Sequence, residues 1–260
     1  GGAYRLDKDT QTWIPLTDEF NSHEYSFYGI DGLITDPVEP NRVYLLAGMY
    51  TKGWLEINNA YILRSEDYGA NWDRVPMEFD AGGNEPNRFG DRFELDPKDN
   101  KTLYVGARNG TLWKSTDYGV TWEKLPLPEV KLKQEDGYTF GVTFISFDDN
   151  NDLYVGVAGD GTNCCYFRSK DGGASFEPLE GQPNDVFPYH GVSDGNGHMY
   201  FANGTAAGPY QVPSGSLKKY TIADGTWEDF TPDMLTNGVG DIEVDPQNPD
   251  ILTVSSIGKW

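Results

Sequence analysis

Three segments share the pattern Ser-x-Asp-x-Gly-x-x-aromatic, and their spacing restricts the possible folds more than any other feature of this 260-residue chain. They are Ser65 to Trp72 (with Asp67 and Gly69), Ser115 to Trp122 (Asp117, Gly119) and Ser169 to Phe176 (Asp171, Gly173). Their aspartates stand 50 and 54 residues apart. A basic residue lies eight positions before each aromatic: Arg64, Lys114 and Arg168. The same interval joins Arg5 to Trp13 and Lys219 to Trp227, where the other positions have decayed. Five hairpins of one register follow. A short Asp or Ser side chain closes such a turn by bonding backbone N–H groups two to four residues on. The glycine suits a positive φ. The aromatic is expected to fold back onto the blade and bury apolar area. These residues read as architecture.

A second repeat interleaves with the first. Asp36-Pro37 leads to Val43-Tyr44-Leu45, and Asp96-Pro97 to Leu103-Tyr104-Val105. Asp148-Asp149, Asp194-Gly195 and Asp245-Pro246 introduce comparable apolar runs. Each is an apolar strand, a polar turn and a second strand. One unit is therefore four strands in roughly 50 residues, the size of a propeller blade. The predicted fold is all-β: an incomplete β-propeller of four-stranded antiparallel blades. A partial blade at 1–17 precedes whole blades at about 25–78, 88–128, 138–180 and 188–232, with another partial blade at 238–260. All belong to one domain. Open strand edges invite aggregation, so the chain reads as the interior of a longer one. Its lack of an initiating Met and of a leader agrees with a processed form or partial reading frame.

Composition excludes several classes. The formal charge is −21, with 41 acidic against 20 basic residues, which opposes nucleic acid and anionic membrane surfaces. No run of about 18 apolar residues spans a membrane. The two cysteines, Cys164 and Cys165, are adjacent, can join only through a strained ring, and read as buried or incidental thiols. With three histidines they make no zinc site, and no metal or cofactor is expected.

The hairpin motif is the Asp-box of sialidases, sortilin-like receptors, photosystem-assembly propellers and several glycoside hydrolases, and it does not choose a function. The surrounding sequence resembles glycoside hydrolase family 74, the xyloglucanases and related β-1,4-glucanases, along essentially its whole length. Gly1-Gly2-Ala3-Tyr4-Arg5 with Trp13 to Asp18 is similar to the family's first hairpin, and Asp36-Pro37 through Leu45 to its next strands. Gly82 to Glu85 and Gly90-Asp91-Arg92 are similar to a further stretch, with Asp91 in place of the usual Glu; Gly225 to Pro232 fits a later hairpin.

The resemblance implies a secreted or cell-surface enzyme with two tandem seven-bladed propellers. A plant cell-wall β-glucan, most plausibly xyloglucan, would lie in the cleft between them. It also implies an inverting mechanism in which one aspartate activates water and another, about 6.5–9.5 Å away, protonates the leaving oxygen. The family's first catalytic aspartate precedes the Gly-Gly-Ala-Tyr-Arg segment by two residues, and its partner belongs to the second propeller. Both positions thus fall outside this chain, so no catalytic residue is assigned and the chain alone is expected to be inactive. Neutral sugar is bound by aromatic faces and a few fixed polar groups. Tyr50, Trp54, Asn84, Asp91, Arg92, Tyr138 and His190 are the candidates; Trp54 stands out because it follows the polar run Thr51-Lys52-Gly53. A competing account makes Tyr138 core packing and Arg92 a salt-bridge partner.

Two other classes compete. A sialidase needs three convergent arginines, and of eight here Arg5, Arg64 and Arg168 belong to the repeat and Arg42 to a turn. A non-catalytic Asp-box scaffold that binds glycan or protein is the stronger alternative.

Overall fold

The computed structural model describes residues 2–20, 24, 27, 29–48, 60–79, 91–132, 134–135, 138–160, 164–184, 186–204, 214–235 and 238–256. β1 (Tyr4–Asp7) and β2 (Thr12–Pro15) form a hairpin. Four antiparallel meanders follow. The first joins β3 (Ile30–Thr35), β4 (Val43–Ala47), β5 (Tyr61–Ser65) and β6 (Asp73–Pro76); the second joins β7 (Phe93–Leu95), β8 (Leu103–Gly106), β9 (Leu112–Ser115) and β10 (Glu123–Lys124). A small pair, β11 (Gln134–Glu135) and β12 (Tyr138–Thr139), intervenes. The third meander joins β13 (Val142–Phe147), β14 (Leu153–Val157), β15 (Tyr166–Ser169) and β16 (Glu177–Pro178). The fourth joins β17 (Phe187–Ser193), β18 (His198–Gly204), β19 (Gly215–Thr221) and β20 (Thr226–Asp229), and the pair β21 (Val239–Val244) and β22 (Leu252–Ser256) closes the series. Among the described residues no helix is long and apolar enough to cross a membrane.

First strands touch in succession: β3 with β7, β7 with β13, β13 with β17, and β17 with β21. The sheets therefore stand like fan blades around an axis lined by their first strands. The chain is a β-propeller array.

The core lies between blades. Tyr44, Leu46 and Ile62 of one blade share a buried cluster with Phe93, Leu103 and Val105 of the next. Leu112 and Tyr104 share the following one with Val142, Val155 and Phe167. The motif aromatics sit in the same seams: Trp122 packs on the first of these clusters, Phe176 on the second, and Trp72 against Leu16 and Leu63. They therefore join neighbouring blades instead of folding only onto their own.

Local chemistry builds the turns as their residue types require. Ser115 Oγ accepts from Gly119 N at 2.9 Å and lies 2.8 Å from Asp117 Oδ1, which in turn accepts from Thr121 N at 2.9 Å. The other two motifs repeat this set through Ser65 and Ser169. Tyr68, Tyr118 and Gly172 hold equivalent left-handed positions, with φ of 60°, 62° and 65°.

Candidate functional site

In a meander the first-to-second and third-to-fourth turns share one end. The Asp-Pro turns and Asp-box hairpins accordingly meet, with Tyr68 N donating to Asn41 O and Tyr118 N to Lys101 O. The opposite end is left to the connections between second and third strands and between blades. There the first strands begin, and a recurring irregularity marks that point. The register shifts between Ile30 and Gly32, Val142 and Phe144, Pro188 and His190, and Val239 and Asp241. Such bulges re-aim side chains. Here they set polar residues at the axial mouth.

Two charge constellations result. The first pairs Arg92 with Asp31 across adjacent blades, each side chain only 2 % exposed. The second gathers around His190, which is itself buried. Its Nδ1 lies 3.7 Å from Asp241 Oδ1 and its Nε2 3.9 Å from Glu243 Oε1, both carboxylates being half-exposed on β21.

Glu94 on β7 links the two groups. Burial, then the negative charges of Asp91 and Glu243, push its carboxyl up to about 8. It therefore holds its proton at neutral pH, unlike an ordinary surface glutamate. Burial, with Asp241 and Asp91, also raises Glu243, against the opposing effect of His190. The axis thus carries a concentration of carboxyl groups, one of them neutral.

Of the sugar-contact candidates, Tyr50, Trp54 and Asn84 lie outside the described residues. Tyr138 begins β12, its backbone registered with Glu135. Asp91 is exposed at the entrance to β7, and its carbonyl accepts from Ile145 N of the next blade at 2.7 Å. Arg92 is turned inward to Asp31, and His190 faces β21. Asp91 and His190 thus share the axial mouth through Glu243, which acts on Glu94 along with Asp91.

Sequence reasoning missed Asp31, Glu94, Asp241 and Glu243. A signal existed for two of them. Glu94 stands two residues before Asp96, and Glu243 two before Asp245, so both occupy one column of the repeat. Ile34, Ser146 and Val192 fill that column in the other blades. Ile34 and Val192 belong to or pack against apolar clusters between blades, so an acidic residue in that column marks a departure from the repeat.

Comparison with known proteins agrees with the architecture. Residues 60–240 match the Sortilin-Vps10 family model, described as sortilin, neurotensin receptor 3. Over its full length the chain is 43 % identical to xyloglucanase Xgh74A of Acetivibrio thermocellus, of which it covers 33 %. It belongs to the Sortilin-Vps10 family. A Paenibacillus xyloglucanase is 39 % identical over the whole chain, which covers 27 % of it. The crystal structure of the GH74 xyloglucanase from Xanthomonas campestris superposes with a TM-score of 0.84 at 33 % identity, over 98 % of this chain and 39 % of that one. The GH74-like chain thus spans a third or less of the curated relatives it matches here.

Proposed function

We propose that these blades form part of the first propeller of a secreted glycoside hydrolase that cleaves β-1,4-glucan backbones, with xyloglucan as substrate. The reading is carried by one observation: 43 % identity to a xyloglucanase along the entire chain. Its mechanism is inverting. One carboxylate draws a proton from water while a second, protonated, donates to the departing glycosidic oxygen. Both reside on parts of the polypeptide other than residues 1–260, the second on a further propeller that forms the other wall of the cleft.

The contribution of these blades is binding. The end that carries the inter-blade connections offers its surface to a neutral chain, with Asp91 exposed at the axial mouth, and Tyr50, Trp54, Asn84 and Tyr138 are the aromatic and polar candidates for contact with it. Arg92, held by Asp31, positions that mouth rather than meeting solvent.

The test compares the 260-residue chain with the same blades in their longer polypeptide. Release of reducing ends from xyloglucan, with inversion seen by NMR at the new anomeric centre, is expected of the longer polypeptide alone. Turnover by residues 1–260 would contradict the placement of the acid pair. The match to the Sortilin-Vps10 model favours, as a second reading, a scaffold that binds glycan or protein without cleaving it. Retention of xyloglucan without hydrolysis by the longer polypeptide would select that reading.

A further inference from the structure

We propose that His190, Asp241 and Glu243 form a divalent-metal site at the axial mouth, suited to zinc, that ties β21 to β17. One ligand atom from each of the three residues lies within 4.8 Å of the other two. The central observation is His190. It is only 8 % exposed, and neither ring nitrogen makes a hydrogen bond among the described residues. Its nitrogens instead face two carboxylate oxygens at 3.7 and 3.9 Å, too far for hydrogen bonds.

One ring nitrogen of His190 and one oxygen of each carboxylate, at zinc bonds of about 2.0–2.2 Å, would stand about 3.3–3.6 Å apart around a tetrahedral ion. Small rotations of the two half-exposed carboxylates complete the approach, and their exposure leaves room for water in the remaining positions. An imidazole with two carboxylates favours a first-row transition ion over Ca²⁺ or Mg²⁺, which take oxygen ligands. Asp241 and Glu243 lie two apart on β21 and so point to the same face. That face lies against His190, and a register shift precedes Asp241 on the same strand. This inference does not depend on the glycosidase reading, because its readout is metal binding and not turnover.

The blades in their native flanking sequence, stripped with EDTA, are titrated with ZnCl₂ by calorimetry and loaded with Co²⁺ for visible absorption. One saturable zinc site is expected, with ligand-field bands from Co²⁺ and a rise in melting temperature on adding zinc. Glu243→Gln alters a half-exposed side chain and leaves the core intact; it should raise Kd at least about tenfold. His190→Gln should abolish the Co²⁺ bands. Zinc binding by Glu243→Gln and His190→Gln equal to wild type would overturn the proposal, as would a wild-type protein without saturable binding.

Discussion

Arg64 reaches out of its own blade: its Nε donates to the carbonyl oxygen of Tyr118, 54 residues on, at 3.1 Å. Arg5 does the same to Tyr68 O at 3.1 Å, and Lys114 Nζ to Gly172 O at 2.8 Å. The acceptors are the left-handed residues of successive Asp-boxes, whose backbone turns the carbonyl toward the preceding blade. The basic residue at this repeat position, Arg5, Arg64 or Lys114, is thus an inter-blade latch where an intact Asp-box follows in the next blade. For Arg168 the next hairpin, around Lys219 and Trp227, has lost the motif, and its Nε bonds Asp152 at 2.9 Å instead.

Arg64→Ala removes this latch together with the pairs to Asp73 and Glu66. Those two carboxylates are exposed and add little. The charged bond to the Tyr118 carbonyl carries the effect, so a loss of about 1.5–3 kcal/mol is expected in urea unfolding. Arg64→Lys should fall between the two, since an ammonium lacks the planar donor geometry. Equal stability of all three would remove the latch.

The Asp-Pro turns hold a second inter-blade contact. Asn100 Nδ2 donates to both carboxylate oxygens of Asp36, at 3.2 and 3.0 Å, and Asn151 does so to Asp96 at 3.0 and 3.1 Å. Asn100→Ala should cost about 1–3 kcal/mol, because it withdraws a donor from a buried carboxylate. Asn100→Asp should cost more, by placing like charges together. Denaturant midpoints measured on both variants check this order.

Glu94 makes stability fall as pH rises. Its folded value of about 8 exceeds the ordinary 4.5. The folded state therefore retains a proton that the unfolded chain releases between those limits. Below about 4.5 both states are protonated and the group contributes no pH dependence; above about 8 the penalty is complete. Glu94→Gln should flatten this part of the stability profile and raise stability at pH 8. Parallel urea titrations across that range give the slope, and an unchanged slope would exclude Glu94 as its source.

Asp67 has the opposite sign. Hydrogen bonds from the Asn71 side chain and backbone, and then from Ser65, hold its carboxyl down to about 2. Its stabilisation is present above the ordinary value of 3.8 and is lost as pH falls toward about 2. Asp67→Asn should show a shallower acid limb in a thermal melt series. An acid limb identical to wild type would place the dependence elsewhere.

Trp54→Ala tests the sugar-contact reading. In the longer polypeptide it is expected to raise KM for xyloglucan about tenfold, or roughly 1.4 kcal/mol of lost stacking, with kcat little changed. A fall in kcat at constant KM would instead tie Trp54 to the reaction step.

What the sequence determined by itself was the local grammar. The hairpins follow from short-range chemistry: a serine, an aspartate and a glycine within five residues close a turn wherever they occur, and apolar strands at a fifty-residue period require a repeated blade. The adjacent cysteines were legible in the same way, and both are buried. What only the tertiary structure decided was everything that joins one blade to the next. Arg64 and Tyr118, Asn100 and Asp36, Arg92 and Asp31, His190 and Glu243 are each separated by more than fifty residues, and no local rule pairs them. The axial strands converge only when the fan assembles, and the bulges then choose which side chains turn into the channel. That convergence, rather than any motif, brought Asp91 and Glu243 close enough to Glu94 to help raise its carboxyl.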